Sequence, residues 1–203
     1  MNFPNKLTMA RIIMAIIVII MLLFPYDQVG ITMPIYEMGN VTIGLEYIIA
    51  GILFIIAAVT DFVDGNYARK HNMVTDFGKV MDAIADKVLV NGVLIILAYN
   101  RMLPVIVPVI IITRDTVVDS IKMVAGKKGN VVAASIAGKI KTIAMMVGLS
   151  LVFFSNIPFE LVGLPLDKIF IYGATILSLY SGIEYFIVNK KFWTDYKEYN
   201  NSL

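Results

Sequence analysis

The chain of 203 residues contains no cysteine, one histidine (His71) and one tryptophan (Trp193), and only 16% of its residues are charged. The missing thiols exclude disulfide frameworks, thiolate zinc sites and cysteine nucleophiles. A lone histidine excludes any site built on a histidine cluster. The shortage of charge is more telling. Ordinary soluble domains are about a quarter charged and about half apolar, whereas this chain is 59% apolar, with a mean hydropathy of +0.81. A single soluble core cannot cover that much apolar surface without leaving large sticky patches. Lipid must therefore solvate much of the chain. The net charge of +2 says little by itself; where the charges lie says more.

Six apolar stretches are present, at residues 8–24, 43–60, 80–99, 103–121, 142–157 and 169–188. Turn signals separate them: Pro25-Tyr26-Asp27, Met33-Pro34, Asn100-Arg101, Gly126 to Gly129, and Pro158 to Pro165. Read as transmembrane helices, they predict an all-α, polytopic membrane protein of six spans, forming one domain over 1–203. The first stretch follows Lys6 and Arg11 in the manner of a secretory signal, but no A-x-A-like cleavage site follows it, so it reads as a retained span. Six spans also place fifteen of the seventeen basic residues on one side, leaving Arg101 and Lys168 on the other. The positive-inside rule then puts both termini in the cytoplasm. The segment from Lys190 to Tyr199, with Trp193, reads as an interfacial tail.

The polar residues that matter most continue the second apolar stretch. A helix from Ile43 to Lys70 would run about 42 Å, longer than a hydrocarbon core, and its excess would carry Asp61 and Asp64 into the cytoplasmic interface. Those two carboxylates are i,i+3 and share a face; Asp82 and Asp86, on the next helix, are i,i+4 and share one too. A solvated helix end would account for one such residue, and Asp86-Lys87 or Asp64 with Lys70 would neutralise one another. Four carboxylates on consecutive helices at one membrane level repel strongly, and such acids are costly near lipid unless paired or metal-bound. Oxygen-only donors select Mg²⁺, Mn²⁺ or Ca²⁺. Four of them suit two ions, and two hard ions suggest phosphoryl chemistry.

The run Asp61-x2-Asp64-Gly65-x2-Ala68-Arg69-x8-Gly78-x3-Asp82-x3-Asp86 resembles the complete signature of the CDP-alcohol phosphotransferases, with all eight fixed positions filled. The resemblance implies six transmembrane helices, a homodimer, and transfer of a phosphatidyl group from a CDP-linked lipid to an alcohol at the cytoplasmic face of the cell membrane. It implies two Mg²⁺ or Mn²⁺ ions, with Asp61 and Asp82 bridging them, Asp64 completing the first shell and Asp86 the second. Asp86 is also the implied base for the attacking hydroxyl. Gly65, Arg69, Thr75 and Gly78 match positions around the CDP-diacylglycerol site. For Gly65 close helix packing is the alternative, for Arg69 a cytoplasmic anchor, and for Thr75 a helix N-cap. Asn5-Lys6-Leu7-Thr8-x2-Arg11 is similar to the family's N-terminal segment, which adds Asn5 and Thr8 to that site.

Ser181-Gly182-Ile183-Glu184-Tyr185-Phe186, with the same N-terminus, resembles the branch of the family whose acceptor is glycerol 3-phosphate. The branch keeps basic residues where Arg114, Lys122, Lys139 and Lys141 stand, suited to the acceptor phosphate; each reads equally as a topology anchor. Asp115, Asp119 and Lys122 also have the spacing of a ladder along one helix. Lys139 and Lys141 lie some 200° apart on an ideal helix. The implied partners are CDP-diacylglycerol, glycerol 3-phosphate and membrane lipid, with no nucleic acid. Serine, inositol phosphate or a second lipid is the alternative acceptor. A divalent-cation channel or transporter is the alternative class, opposed by the absence of repeats or paired broken helices and by Arg69 beside the supposed ion path.

Overall fold

A computed structural model of the chain describes residues 3–39, 41–71, 75–127 and 135–189. Six α-helices dominate these residues: α1 (Phe3–Leu23), α2 (Leu45–Lys70), α3 (Asp76–Tyr99), α4 (Ile106–Lys127), α5 (Ile136–Phe153) and α6 (Leu166–Val188). Short 3-10 turns at Tyr26–Val29 and Phe159–Val162 lie in connections that the proline signals marked. Each ends at a glycine in the left-handed region, Gly30 and Gly163. The fold is all-α apart from one small hairpin.

That hairpin is the one element outside the sequence reading. β1 (Ile35–Met38) and β2 (Val41–Gly44) pair antiparallel, with Ile35 opposite Gly44 and Met38 opposite Val41. The reason is local. Val41, Thr42 and Ile43 are β-branched, and their alternation buries Val41 and Ile43 while Thr42 faces out. The amide of Leu45 donates to the carbonyl of Pro34 at 2.9 Å, tying the hairpin to the first residue of α2.

Among the described residues, four helices are long and apolar enough to cross a membrane, over Asn5–Leu23, Leu45–Gly65, Ile136–Phe153 and Leu166–Val188. Helices α3 and α4 match two further expected spans in position, but carry too many charges to qualify on composition. In α3 these are Asp82, Asp86 and Lys87; in α4 they are Arg114, Asp115, Asp119 and Lys122.

The chain divides into two compact units, one of Met1–Pro104 with Met146–Asp167, the other of Val105–Met145 with Lys168–Leu203. In the first, α1 packs on α2 and α3. Its core mixes small side chains, Ala15, Ala50, Ala57 and Ala85, with large ones, Phe54, Leu94, Leu97 and Phe153, all fully buried. The large side chains Ile13, Ile16, Ile20, Ile52, Ile56 and Val59 point outward. Small residues between helices and bulky aliphatics outside are the arrangement expected where lipid is the solvent. Buried Asn156 closes the connection after α5: its amide donates to Glu160 Oε2 at 2.9 Å and to the carbonyl of Leu164 at 2.8 Å. In the second unit, α6 buries Ile171, Ala174, Thr175, Ser178, Ser181 and Tyr185, one stripe at helical spacing.

Candidate active site

In the first unit, α1, α2 and α3 bring their polar residues to one place. Asn5, Thr8 and Arg11 are three apart along α1 and share a face. Each meets a residue of the acidic signature or of the turn preceding α3. Arg11 is only 1% exposed, and its guanidinium lies among three carboxylates. Nη1 is 2.6 Å from Asp61 Oδ1 and 3.5 Å from Asp82 Oδ1. Nη2 donates to Asp64 Oδ2. The Thr8 hydroxyl donates to the same Asp82 oxygen at 2.5 Å.

The carboxylates differ in surroundings. Asp64 is 4% exposed, whereas the side chains of Asp61 and Asp82 are 44% and 43% exposed. The cluster is closed at its Asp64 end and open at the other. Asp86 stands one turn beyond Asp82 on α3 and is half-buried. Three carboxylates converge on one guanidinium. Hard, anionic, oxygen-only donors gathered in this way fit a divalent cation of the Mg²⁺ or Mn²⁺ kind. With the guanidinium among them, no three acidic or histidine side chains close on one point among the described residues.

Thr75 sets the start of α3. It is the extended N-cap residue, and its hydroxyl accepts from the amide of Gly78 at 3.0 Å. The Asn5 amide donates to that hydroxyl at 3.3 Å. A Cβ on Gly78 would sit 2.8 Å from Asn5 Oδ1 and 3.0 Å from Thr75 Oγ1, so the glycine leaves room for Asn5 in its present position. The N-cap reading of Thr75 holds, and the bond from Asn5 brings two of the expected site residues together. Gly65 is half-buried on α2. Arg69 lies on α2, but its side chain is outside the described residues, as are Trp193 and the tail around it.

In the second unit, the basic residues separate. Asp115 on α4 receives Arg114 Nη1 at 2.9 Å and Lys141 Nζ at 2.9 and 2.8 Å. Arg114 also donates through Nη2 to the Ser181 hydroxyl at 2.6 Å. A Cβ on Gly182 would stand 2.8 Å from Arg114 Cγ, so the glycine leaves room for the stem of that arginine. A groove of about 320 Å³ runs beside it, lined by Val109, Ile110, Thr113 and Leu179 among others. Lys122 instead lies over the Tyr185 ring, 5.7 Å from its centroid, as a cation–π contact. Helix α5 is regular, so Lys141 is buried while Lys139 is exposed. Of the four basic residues, Arg114 and Lys141 come together, and Asp115 joins them across helices to α5.

Two residues acquire roles that their spacing did not announce. Arg11 is the counter-charge of the acidic cluster; its signal was a lone cation in register with Asn5 and Thr8 inside an apolar run. Asp115 holds two cations at once, and nothing in its sequence neighbourhood singles out Lys141.

The family model described as CDP-alcohol phosphatidyltransferase matches residues 1–180. A CDP-diacylglycerol–glycerol-3-phosphate 3-phosphatidyltransferase of Bacillus subtilis is 42% identical over 93% of this chain and 95% of its own length. Proteins with the same name from Mycoplasma genitalium and Rickettsia bellii are 36% and 34% identical, covering 100% and 95% of this chain and 88% and 97% of their own. Signature, helical scaffold and full-length similarity coincide, and the chain belongs to the CDP-alcohol phosphatidyltransferase family.

Proposed function

We propose that this membrane enzyme transfers the phosphatidyl group of CDP-diacylglycerol to sn-glycerol 3-phosphate, giving phosphatidylglycerol phosphate and CMP. The observation that carries the reading is the meeting of Asp61, Asp64 and Asp82 around a single buried guanidinium, with Asp86 one turn away. Relatives that share nearly the whole chain bear the name of this reaction. The pairing of Arg114 and Lys141 supports a phosphate-bearing acceptor, because a phosphate dianion needs fixed positive charge.

Asp61, Asp64, Asp82 and Asp86 would hold two divalent cations, Mg²⁺ or Mn²⁺. Bound there, these supply charge neutralisation for the diphosphate and for the departing CMP. The chain's own residues do the rest. The half-open side of the cluster, at Asp61 and Asp82, admits the diphosphate. Asn5, Thr75 and Gly78 hold α1 and α3 in close approach, with Gly65 and Arg69 toward the nucleotide. Asp86 accepts the proton of the acceptor hydroxyl as its oxygen bonds to the β-phosphorus and the bond from that phosphorus to the CMP oxygen breaks. Arg114 and Lys141 bind the acceptor's own phosphate, and Lys122 and Lys139 add positive charge on the same helices.

The membrane arrangement proposed is six spans with α3 and α4 included and both termini cytoplasmic, in a homodimer with the site at the cytoplasmic face of the cell membrane. The bias of basic residues supports the orientation. Charges in α3 and α4 are tolerable in a span because they pair within the protein. The test is CMP release by purified protein in detergent with CDP-diacylglycerol and a panel of acceptors. Release with glycerol 3-phosphate is expected. Release with serine or inositol phosphate but not with glycerol 3-phosphate would refute the acceptor assignment. No release with any acceptor would refute the transferase reading.

A further inference from the structure

The two arms of the Arg11 guanidinium are not equivalent. Nη2 makes a hydrogen bond to Asp64, inside the closed end of the cluster. Nη1 makes ion pairs with Asp61 at 2.6 Å and Asp82 at 3.5 Å. One arm is therefore directional and buried. The other is divided between two carboxylates, on the side where Asp61 and Asp82 are open. A 1% exposed guanidinium that divides itself among three carboxylates, two of them open to solvent, is an uneconomical structural pin. As a stand-in for a cation its geometry is intelligible, because it sits where three mutually repelling carboxylates need positive charge.

We propose that Arg11 is a positioning residue that acts as an internal counter-cation: it keeps Asp61, Asp64 and Asp82 gathered before metal binding, and gives up Asp61 and Asp82, but not Asp64, when divalent cations bind. The inference rests on the two-metal part of the proposed function. Like charge beside a cation site opposes loading, and an anion cluster without a cation opposes folding. Arg11 thus trades some metal affinity for an apo site that is already assembled. Thr8 assists by donating to Asp82 from the same face of α1, leaving that carboxylate oriented once Nη1 withdraws.

Full-length protein in detergent tests this by Mn²⁺ electron paramagnetic resonance titration and by thermal unfolding in EDTA and in excess Mn²⁺. Arg11→Met removes the charge and keeps much of the apolar stem. Its unfolding temperature should fall in EDTA and recover in Mn²⁺, and its Mn²⁺ affinity should be roughly tenfold tighter than wild type, the scale of one neighbouring charge. Arg11→Lys keeps the charge and should lie near wild type in both measurements. Recovery of Arg11→Met only when Mn²⁺ is present throughout purification supports the same conclusion. Equal destabilisation with and without Mn²⁺ would make Arg11 a packing element and overturn the inference. Weaker Mn²⁺ binding by Arg11→Met would overturn it too, since the guanidinium would then be arranging ligands in the loaded site. If wild type itself binds no Mn²⁺, the two-metal reading fails first, which a wild-type titration reveals before any variant is compared.

Discussion

The ammonium of Lys141 lies 2.9 and 2.8 Å from the two carboxylate oxygens of Asp115, twenty-six residues earlier in the chain. Lys141 is buried, and its stem passes along α5 to reach a carboxylate that Arg114 also holds. One anion thus fixes two cations at a defined point. Such a point binds a second anion without having to be assembled for it.

Asp115→Ala should therefore destabilise the protein by about 3–5 kcal/mol, because it leaves the Lys141 ammonium buried and unpaired. Asp115→Ala combined with Lys141→Met should regain most of that loss, since no stranded charge remains. Thermal unfolding in detergent measures both. An Asp115→Ala variant as stable as wild type would mean that Lys141 finds other partners or solvent.

Asp61→Asn and Asp82→Asn should abolish transfer at ordinary Mg²⁺ while leaving expression intact. Both carboxylates lie on the open side of the cluster and share Nη1 of Arg11. Losing one removes a charge from the position proposed for both cations. CMP release from membranes checks it, with EDTA as the parallel treatment. Wild-type turnover in either variant, or in thorough EDTA, would contradict the two-metal arrangement.

Asp86→Asn separates proton transfer from binding. If the carboxylate acts chiefly as the base, the rate should fall by roughly 10²–10⁴-fold while CDP-diacylglycerol binding persists. Parallel measurements of binding and turnover decide it. Loss of binding to the same degree as activity would make Asp86 chiefly a ligand.

What could be read from sequence was what a single helix fixes. The i,i+3 and i,i+4 spacings put Asp61 with Asp64 and Asp82 with Asp86, and the end of α2 follows from an uninterrupted run up to Lys70, whereas its expected start at Ile43 falls in β2 and the helix begins at Leu45. Contacts between helices were not legible, because they depend on how each helix is rotated about its axis by its packing. Arg11 meets Asp64 across fifty-three residues, and no periodicity announces that pairing. For the same reason Asp115 suggested a partner along its own helix and found one on α5. The hairpin was missed because Ile35 to Gly44 is short, and its β-branched residues abut the apolar run of α2.

Gly182 offers the sharpest test of the acceptor pocket, because its effect is steric and predicted in sign against helix propensity. A methyl group at this position would meet Arg114 Cγ at 2.8 Å, with Nε and Cδ at 3.6 and 3.8 Å. Cγ lies near the root of the side chain and cannot move aside without carrying the guanidinium with it. Gly182→Ala should therefore break the 2.6 Å hydrogen bond from Arg114 to Ser181 and disturb the pairing with Asp115. Alanine favours a helix over glycine by about 1 kcal/mol, so α6 itself should lose no stability. The expected result is a KM for glycerol 3-phosphate raised about tenfold, the loss of one charge-assisted contact, with KM for CDP-diacylglycerol unchanged. Arg114→Ala alone should give at least that effect. Adding Gly182→Ala to Arg114→Ala should change nothing further, because the clash has been removed with the stem. A Gly182→Ala enzyme with wild-type KM for glycerol 3-phosphate would show that the placement of Arg114 does not govern acceptor binding. Additive losses in the double variant would show that Gly182 acts by another route.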